Sequence, residues 1–170
     1  YNPEVDSGKR FQRKCDIECL TGSYEEFLKK VDAVYIASPN ETHYHYTKTA
    51  LEQGKHVLCE KPIAFTKSES EGLYELAKNN NLILLEAVKT AYCPGFQQLI
   101  NVAQSGKIGE IKDVEACFTR LADVTSRERT DGNYGGAFLE FGSYTLLPIF
   151  KLLGTDYKNV SFQCIKDEDG

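Results

Sequence analysis

The chain has 170 residues, of which 41% are hydrophobic and 26% charged, with 13 Gly and 5 Pro, so disordered and fibrous proteins are excluded. The 20 Lys and Arg against 25 Asp and Glu give a net charge of −5, and no basic run could neutralise a row of phosphates, which argues against a nucleic acid partner. The longest uncharged stretch, residues 90–106, contains a proline and several amides, so we expect no membrane span.

Six cysteines show no C-x-x-C pair and follow no signal-peptide pattern, so we predict free thiols and a cytoplasmic protein. They are Cys15, Cys19, Cys59, Cys93, Cys117 and Cys164. No pair of the three histidines sits with carboxylates or cysteines at ligand spacing, so no metal site is predicted. Because the sequence contains no methionine, even at position 1, we expect it to be part of a longer protein.

The first half of the chain alternates between short apolar runs and helical patterns. Residues 16–20 are a candidate strand, and a cap region around Ser23 precedes a helix predicted over residues 24–30, with Glu26 placed for a capping box. Further strands are predicted at residues 31–38, 56–60 and 82–86. Between them lie one helix capped by Asn40 and ended by Gly54, and a second that starts at Thr66 or Ser68. Strands separated by helices predict βαβ units and a parallel sheet.

The pattern of predicted elements changes in the second half of the chain, and we predict a second domain from about Lys89. Its expected elements are a helix over residues 94–105, a strand exposed on one face over 111–120, a polar loop over 121–134, a helix over 137–153 and a last strand over 160–165.

Ligands of open parallel sheets bind beyond the carboxyl ends of the strands, so the residues after each strand are the first candidates. These are Ser38, Pro39, Asn40 and His43 after one strand, and Glu60, Lys61 and Pro62 after the next. Taken singly, the first group is also typical of helix capping and the Glu–Lys pair of a solvated surface. Their occurrence at consecutive strand ends favours a shared site.

Four segments carry a resemblance to a known family. They are residues 34–43, with Ser-Pro-Asn and a histidine; 54–62, with Gly-Lys-His-Val and Glu-Lys-Pro; 105–111; and 135–144, which ends in Tyr144. The sequence resembles the Gfo/Idh/MocA family of NAD(P)-dependent oxidoreductases, and within it the branch that includes dihydrodiol dehydrogenase and glucose-fructose oxidoreductase.

The resemblance implies roles for individual residues. Pro39 and Asn40 match positions that line the dinucleotide, Glu60 lies near the nicotinamide ribose, Lys61 is the catalytic lysine and Tyr144 transfers a proton. Glu140, one helical turn before Tyr144, stands where the family usually has Asp, and it is the third catalytic candidate. The predicted cofactor-binding set is completed by Lys61 itself and by Ser38, His43 and Pro62.

We therefore expect an α/β protein: an incomplete Rossmann-type parallel sheet over residues 1–88, lacking its first βαβ unit, followed by part of an α+β domain with a mostly antiparallel open sheet over 89–170. No G-x-G-x-x-G loop occurs in the sequence. We expect that loop, and the residue that separates NAD from NADP, before Tyr1, which leaves both cofactors open.

The function implied is hydride transfer between a nicotinamide dinucleotide and a secondary alcohol or carbonyl of a sugar, polyol or related cyclic substrate, in a homo-oligomer, most simply a dimer. The alternative is a regulatory protein that senses a dinucleotide or a sugar on the same fold without turnover. A plain interaction module is a third interpretation.

Overall fold

Three short parallel strands form the sheet in the computed structural model, which describes residues 1–163 apart from the side chain of residue 128. The strands are β1 (Ala33–Ile36), β2 (His56–Cys59) and β3 (Leu84–Glu86). They lie in the order β1-β2-β3, and both neighbouring pairs are parallel. The predicted parallel sheet is confirmed.

Helices precede, connect and follow the strands. They are α1 (Val5–Cys15), α2 (Tyr24–Leu28), α3 (His43–Glu52), α4 (Lys67–Asn79), α5 (Pro94–Gln104), α6 (Arg127–Thr130) and α7 (Ala137–Leu153), with 3₁₀ turns at Asn40–Thr42 and Lys89–Tyr92. In the described part of the chain no helix combines the length and the apolar character needed to cross a bilayer.

Local capping residues explain where several helices start and stop. The Ser23 side chain accepts the Glu26 N–H at the start of α2, and Thr66 forms a full capping box with Glu69 at the start of α4. Gly54 follows α3 with a φ of 72°, a left-handed conformation that favours glycine. These boundaries follow the predictions, except that α2 is two residues shorter than expected.

The core lies between the sheet and α3 and α4. Val34, Val57 and Leu84 occupy one row of the register and are all buried, while α3 contributes the fully buried Leu51 and α4 contributes Leu73. Burying side chains of this size supplies most of the stability of a small α/β unit. The next row of the register, on the other face of the sheet, consists of the partly exposed Tyr35, Leu58 and Leu85.

Three predicted strands differ from the structure. Residues 16–20 form a loop, because Asp16 ends α1 in a left-handed conformation with a φ of 50°. Residues 111–120 have no strand partner among the described residues and most of their side chains are exposed, so alternation alone does not make them a strand. Residues 160–163 also lack regular structure, and 164–165 lie outside the described residues. Helix α1 was not predicted.

The five cysteines in the described part of the chain are free thiols, in line with the sequence prediction. Cys59 at the end of β2 has no exposed surface, whereas Cys93 and Cys117 are exposed. Burial raises the pKa of the Cys59 thiol to about 12, so its reactive thiolate form is scarce near neutral pH.

We therefore expect iodoacetamide at pH 8 to alkylate Cys59 in the native protein more than about a hundredfold more slowly than Cys93. In urea the two rates should become similar, because unfolding removes the burial. Peptide mapping by mass spectrometry measures both rates in one sample, and native labelling of Cys59 at the rate of Cys93 would contradict the packing described here.

Candidate active site

The loop after β1 brings Ser38, Pro39 and Asn40 to the carboxyl edge of the sheet. Ser38 Oγ lies 2.6 Å from Thr42 Oγ1, which donates a hydrogen bond to the Pro39 carbonyl at 2.7 Å. These contacts close the 3₁₀ turn, so α3 begins only at His43. The prediction that Asn40 caps this helix is wrong, because the helix starts three residues later and the Asn40 amide contacts α7 instead.

The loop after β2 carries Glu60, Lys61 and Pro62, joined by a cis Lys61–Pro62 peptide bond. The Tyr35 hydroxyl donates to Glu60 Oε1 at 2.5 Å. This hydrogen bond to a carboxylate raises the pKa of Tyr35 to about 12, since loss of the proton would break it. Glu60 is therefore oriented by a side chain from the neighbouring strand.

The last residue of β3, Glu86, was not among the predicted site residues. Its Oε1 accepts the backbone N–H of Ile63 at 2.9 Å, so it holds the Lys61 loop from the side opposite to β1. The strand-end argument that selected Glu60 applies equally to Glu86 and would have found it.

The Lys61 ammonium and the Glu140 carboxylate form the main charged contact between the sheet edge and α7. Lys61 Nζ donates to the Glu140 carbonyl at 2.9 Å and lies 3.4 Å from Glu140 Oε2, and the two side chains are only 13% and 19% exposed. Asn40 Nδ2 donates to Glu140 Oε1 at 3.1 Å. Glu140 also lies in the first turn of α7, where the helix dipole favours a negative charge.

Tyr144 lies one turn further along α7. Its ring centroid is 5.6 Å from Lys61 Nζ, and the same ring packs against Phe118 at 5.4 Å between centroids. Lys61, Glu140 and Tyr144 thus meet at one place. The Lys61 ammonium contacts both a carboxylate and the face of an aromatic ring.

Two glycines determine where α7 begins. A Cβ atom at Gly135 would lie 2.6 Å from the Asp131 carbonyl and 2.7 Å from the Arg127 carbonyl, so the backbone passes too closely for any other residue. Gly136 has a φ of 98°, which side chains rarely tolerate. This tight turn delivers Glu140 to Lys61.

The segment before α7 is attached to the rest of the site at two points. Arg127 forms ion pairs with Glu41, beside the loop that follows β1, and with Asp131. The Tyr134 ring packs against Phe65, beyond the second loop, at 5.1 Å between centroids. The sequence predicted only a polar loop over residues 121–134, whereas the structure has the short helix α6 there. Glu41 and Phe65, which attach this segment to the site, are distant from it in sequence.

His43 lies beneath the two loops. It is 1% exposed, and each ring nitrogen contacts a backbone carbonyl of one loop. The structure therefore gathers Asn40, Lys61, Glu140 and Tyr144, and it places Ser38, Pro39, Glu60 and Pro62 in the flanking loops. Among residues 1–163, no three or more His, Cys, Asp or Glu side chains are grouped so as to hold a metal ion.

Comparison with known proteins identifies a family and several relatives that are similar to this chain. Residues 1–88 match the model of an oxidoreductase family with an NAD-binding Rossmann fold, Gfo/Idh/MocA. The chain is 33% identical over 162 residues to the dTDP-3,4-didehydro-2,6-dideoxy-alpha-D-glucose 3-reductase of Actinomadura kijaniata, which covers 91% of this chain and 47% of that protein. It is 31% identical over 153 residues to the trans-1,2-dihydrobenzene-1,2-diol dehydrogenase of Sus scrofa, covering 89% of this chain and 46% of that protein.

Among solved structures, KijD10, a 3-ketoreductase from Actinomadura kijaniata in complex with TDP-benzene and NADP, superposes with a TM-score of 0.76 at 31% identity. The match covers 91% of this chain and 47% of that one. The chain thus spans about half the length of the relatives it matches. Since the family model covers residues 1–88, more than half of the chain, the protein belongs to the Gfo/Idh/MocA oxidoreductase family with an NAD-binding Rossmann fold.

Proposed function

We propose that the protein containing this chain is an NAD(P)-dependent oxidoreductase that acts on a CH–OH group or the corresponding carbonyl of a sugar, polyol or related cyclic substrate. The observation that carries the proposal is the meeting of Lys61 with Glu140 and Tyr144 at the carboxyl edge of the parallel sheet. Relatives named as a sugar-nucleotide 3-reductase and a dihydrodiol dehydrogenase support the substrate class.

The residues of the two loops after β1 and β2 fit the nicotinamide half of a dinucleotide. Glu60 offers a carboxylate already oriented by Tyr35, which suits the hydroxyls of a ribose, and Pro39 and Asn40 lie at the neighbouring strand end. When bound, the nicotinamide supplies the acceptor or donor of hydride. Ser38 and Pro62 shape the same two loops, and both NAD and NADP fit this part of the site.

Lys61 handles the proton in this proposal. Hydride leaves a carbinol carbon only as the hydroxyl proton leaves, so the site needs an acid or base within about 3 Å of that oxygen. Lys61 Nζ is held by Glu140 on one side and lies against the Tyr144 ring, whose hydroxyl is the second candidate for the proton. Glu140 holds the ammonium in place and balances its charge.

Lys61→Ala in the full-length protein should lower kcat by about 10² to 10⁴ while the dissociation constant of the nucleotide changes by only a few-fold, because proton transfer is lost and most nucleotide contacts remain. Steady-state kinetics and fluorescence titration with NADH or NADPH measure the two effects. Lys67→Ala is the matched control, since Lys67 is 87% exposed and six residues away. Full turnover by Lys61→Ala would remove the catalytic assignment. Tight nucleotide binding by a wild type without turnover would favour the sensing alternative.

Tyr144→Phe removes one hydroxyl and keeps the ring that packs against Phe118 and Lys61. If the hydroxyl takes part in proton transfer, we expect kcat to fall by about tenfold or more with an unchanged urea midpoint. Tyr134→Phe serves as the control, because Tyr134 also packs on a phenylalanine, Phe65, whereas the Lys61 ammonium lies over the ring of Tyr144. A wild-type kcat for Tyr144→Phe would show that this tyrosine only packs.

We also propose that the protein is cytoplasmic and that it forms a homodimer. Within each chain, we place a domain boundary between residues 88 and 89. The free thiols in the described part of the chain support a reducing compartment, and the end of the family match at residue 88 supports the boundary. Light scattering on the full-length protein at micromolar concentration should give twice the monomer mass, and a monomer mass would contradict the dimer.

A further inference from the structure

A single buried imidazole lies between the two loops of the candidate site. His43 is the first residue of α3 and is 1% exposed. Its Nδ1 lies 2.8 Å from the Pro62 carbonyl oxygen and its Nε2 lies 2.9 Å from the Ser38 carbonyl oxygen. Both distances are those of good hydrogen bonds, so one side chain spans the loops that follow β1 and β2.

The two carbonyls depend on this imidazole. Among the described residues, backbone N–H groups donate to neither Ser38 nor Pro62. Both partners are acceptors, so a neutral ring donates to one of them and a doubly protonated ring donates to both. Replacing His43 by an apolar side chain would remove the ring donor that these partly buried carbonyls have, and an acceptor left without a donor away from water is costly.

The two carbonyls are close in sequence to the residues that hold Glu140. Pro62 follows Lys61 directly, and Ser38 precedes Asn40 by two residues. Asn40 and Lys61 reach the Glu140 carboxylate from separate loops, at 3.1 and 3.4 Å. The separation of these two loops therefore decides whether one carboxylate can contact both donors.

We propose that His43 is a positioning residue of this site: its imidazole ties the Asn40 loop to the Lys61 loop and so sets the place at which both meet Glu140. The inference rests on the proposed function for its catalytic consequence, since those loops hold the dinucleotide and the proton-transferring lysine there. In this proposal the buried His43 acts through the two loops, whereas the sequence prediction grouped it with the cofactor-binding residues.

Two conservative substitutions separate the two ties. In His43→Asn the amide nitrogen takes the place of Nδ1 and can still donate to Pro62, whereas in His43→Gln it takes the place of Nε2 and can still donate to Ser38. Each variant therefore keeps one loop attached and releases the other.

In the full-length protein we expect His43→Gln to lower kcat by about tenfold or more, because the Lys61 loop is released and small misplacements of catalytic groups are costly. His43→Asn should mainly weaken NADH or NADPH binding, by a similar factor, because the Asn40 loop is released. His43→Phe should show both losses. His45→Gln, two residues further along α3 and exposed, is the control that should leave kcat and binding unchanged.

A merely structural histidine predicts another pattern. All three variants would then lower the urea midpoint while kcat and nucleotide affinity in the folded fraction stay at wild-type values, and this result would overturn the proposal. Parallel changes in kcat and affinity in the Asn and Gln variants would also overturn it, since the two ties would not act on separate loops.

A second measurement needs no ligand and keeps the inference separate from the proposed function. A double-mutant cycle of Lys61→Met and Glu140→Gln, read from unfolding constants, should give a coupling of about threefold or more in the wild type and a coupling near one in the His43→Gln background. If the wild type shows no turnover but the coupling falls in this way, the proposed function fails and the positioning role stands. An unchanged coupling in His43→Gln overturns the positioning role whatever the activity.

Discussion

The contact between the Lys61 ammonium and Glu140 joins two parts of the structure that are distant in sequence, the sheet edge and the first turn of α7. Both groups are largely withdrawn from water, so each one compensates for the hydration that the other has lost. Removing either would leave a poorly solvated charge behind. The loops at the sheet edge and the start of α7 therefore depend on one another, and the Asn40 amide strengthens the arrangement by sharing the carboxylate.

The parallel sheet makes this contact possible because its strands end together. Ile36 and Cys59 are register partners, and so are Cys59 and Glu86. The backbone hydrogen bonds between the strands continue one residue beyond these pairs. The Glu60 N–H donates to the Ile36 carbonyl at 2.8 Å, and the Ala87 N–H donates to the Cys59 carbonyl at 2.7 Å. The loops thus leave the sheet side by side. Side chains that follow neighbouring strands can contact one another without any long-range adjustment of the chain.

Sequence reasoning predicted what depends on local pattern. The three strands, the caps at Ser23 and Thr66 and the stop at Gly54 are all encoded within a few residues, and the structure has them. The predicted strand at 111–120 failed because strand formation needs a partner, and alternation of side chains says nothing about where that partner lies.

The candidate site also contains residues that the sequence predicted and contacts that it did not. Position after a strand singled out Lys61, and the family resemblance added Glu140 and Tyr144, but no pattern in the sequence shows that Asn40 contacts α7 or that Arg127 pairs with Glu41. These are contacts between residues that only the folded chain brings together. Helix α1 was missed for a different reason: Gly8 is its one buried residue, so the segment has little apolar pattern that would indicate a packed helix.

Glu140 contributes to the site in two ways, through its backbone carbonyl and through its carboxylate. The shorter contact of Lys61, at 2.9 Å, is to the backbone carbonyl of Glu140, and the longer one, at 3.4 Å, is to its carboxylate. A different side chain at this position would change the carboxylate but leave the carbonyl in place. The backbone of α7, placed by Gly135 and Gly136, therefore fixes where the ammonium lies. The side chain of residue 140 sets the charge around it and the link to Asn40. A change of residue type at 140 thus alters the electrostatics of the site more than the position of Lys61.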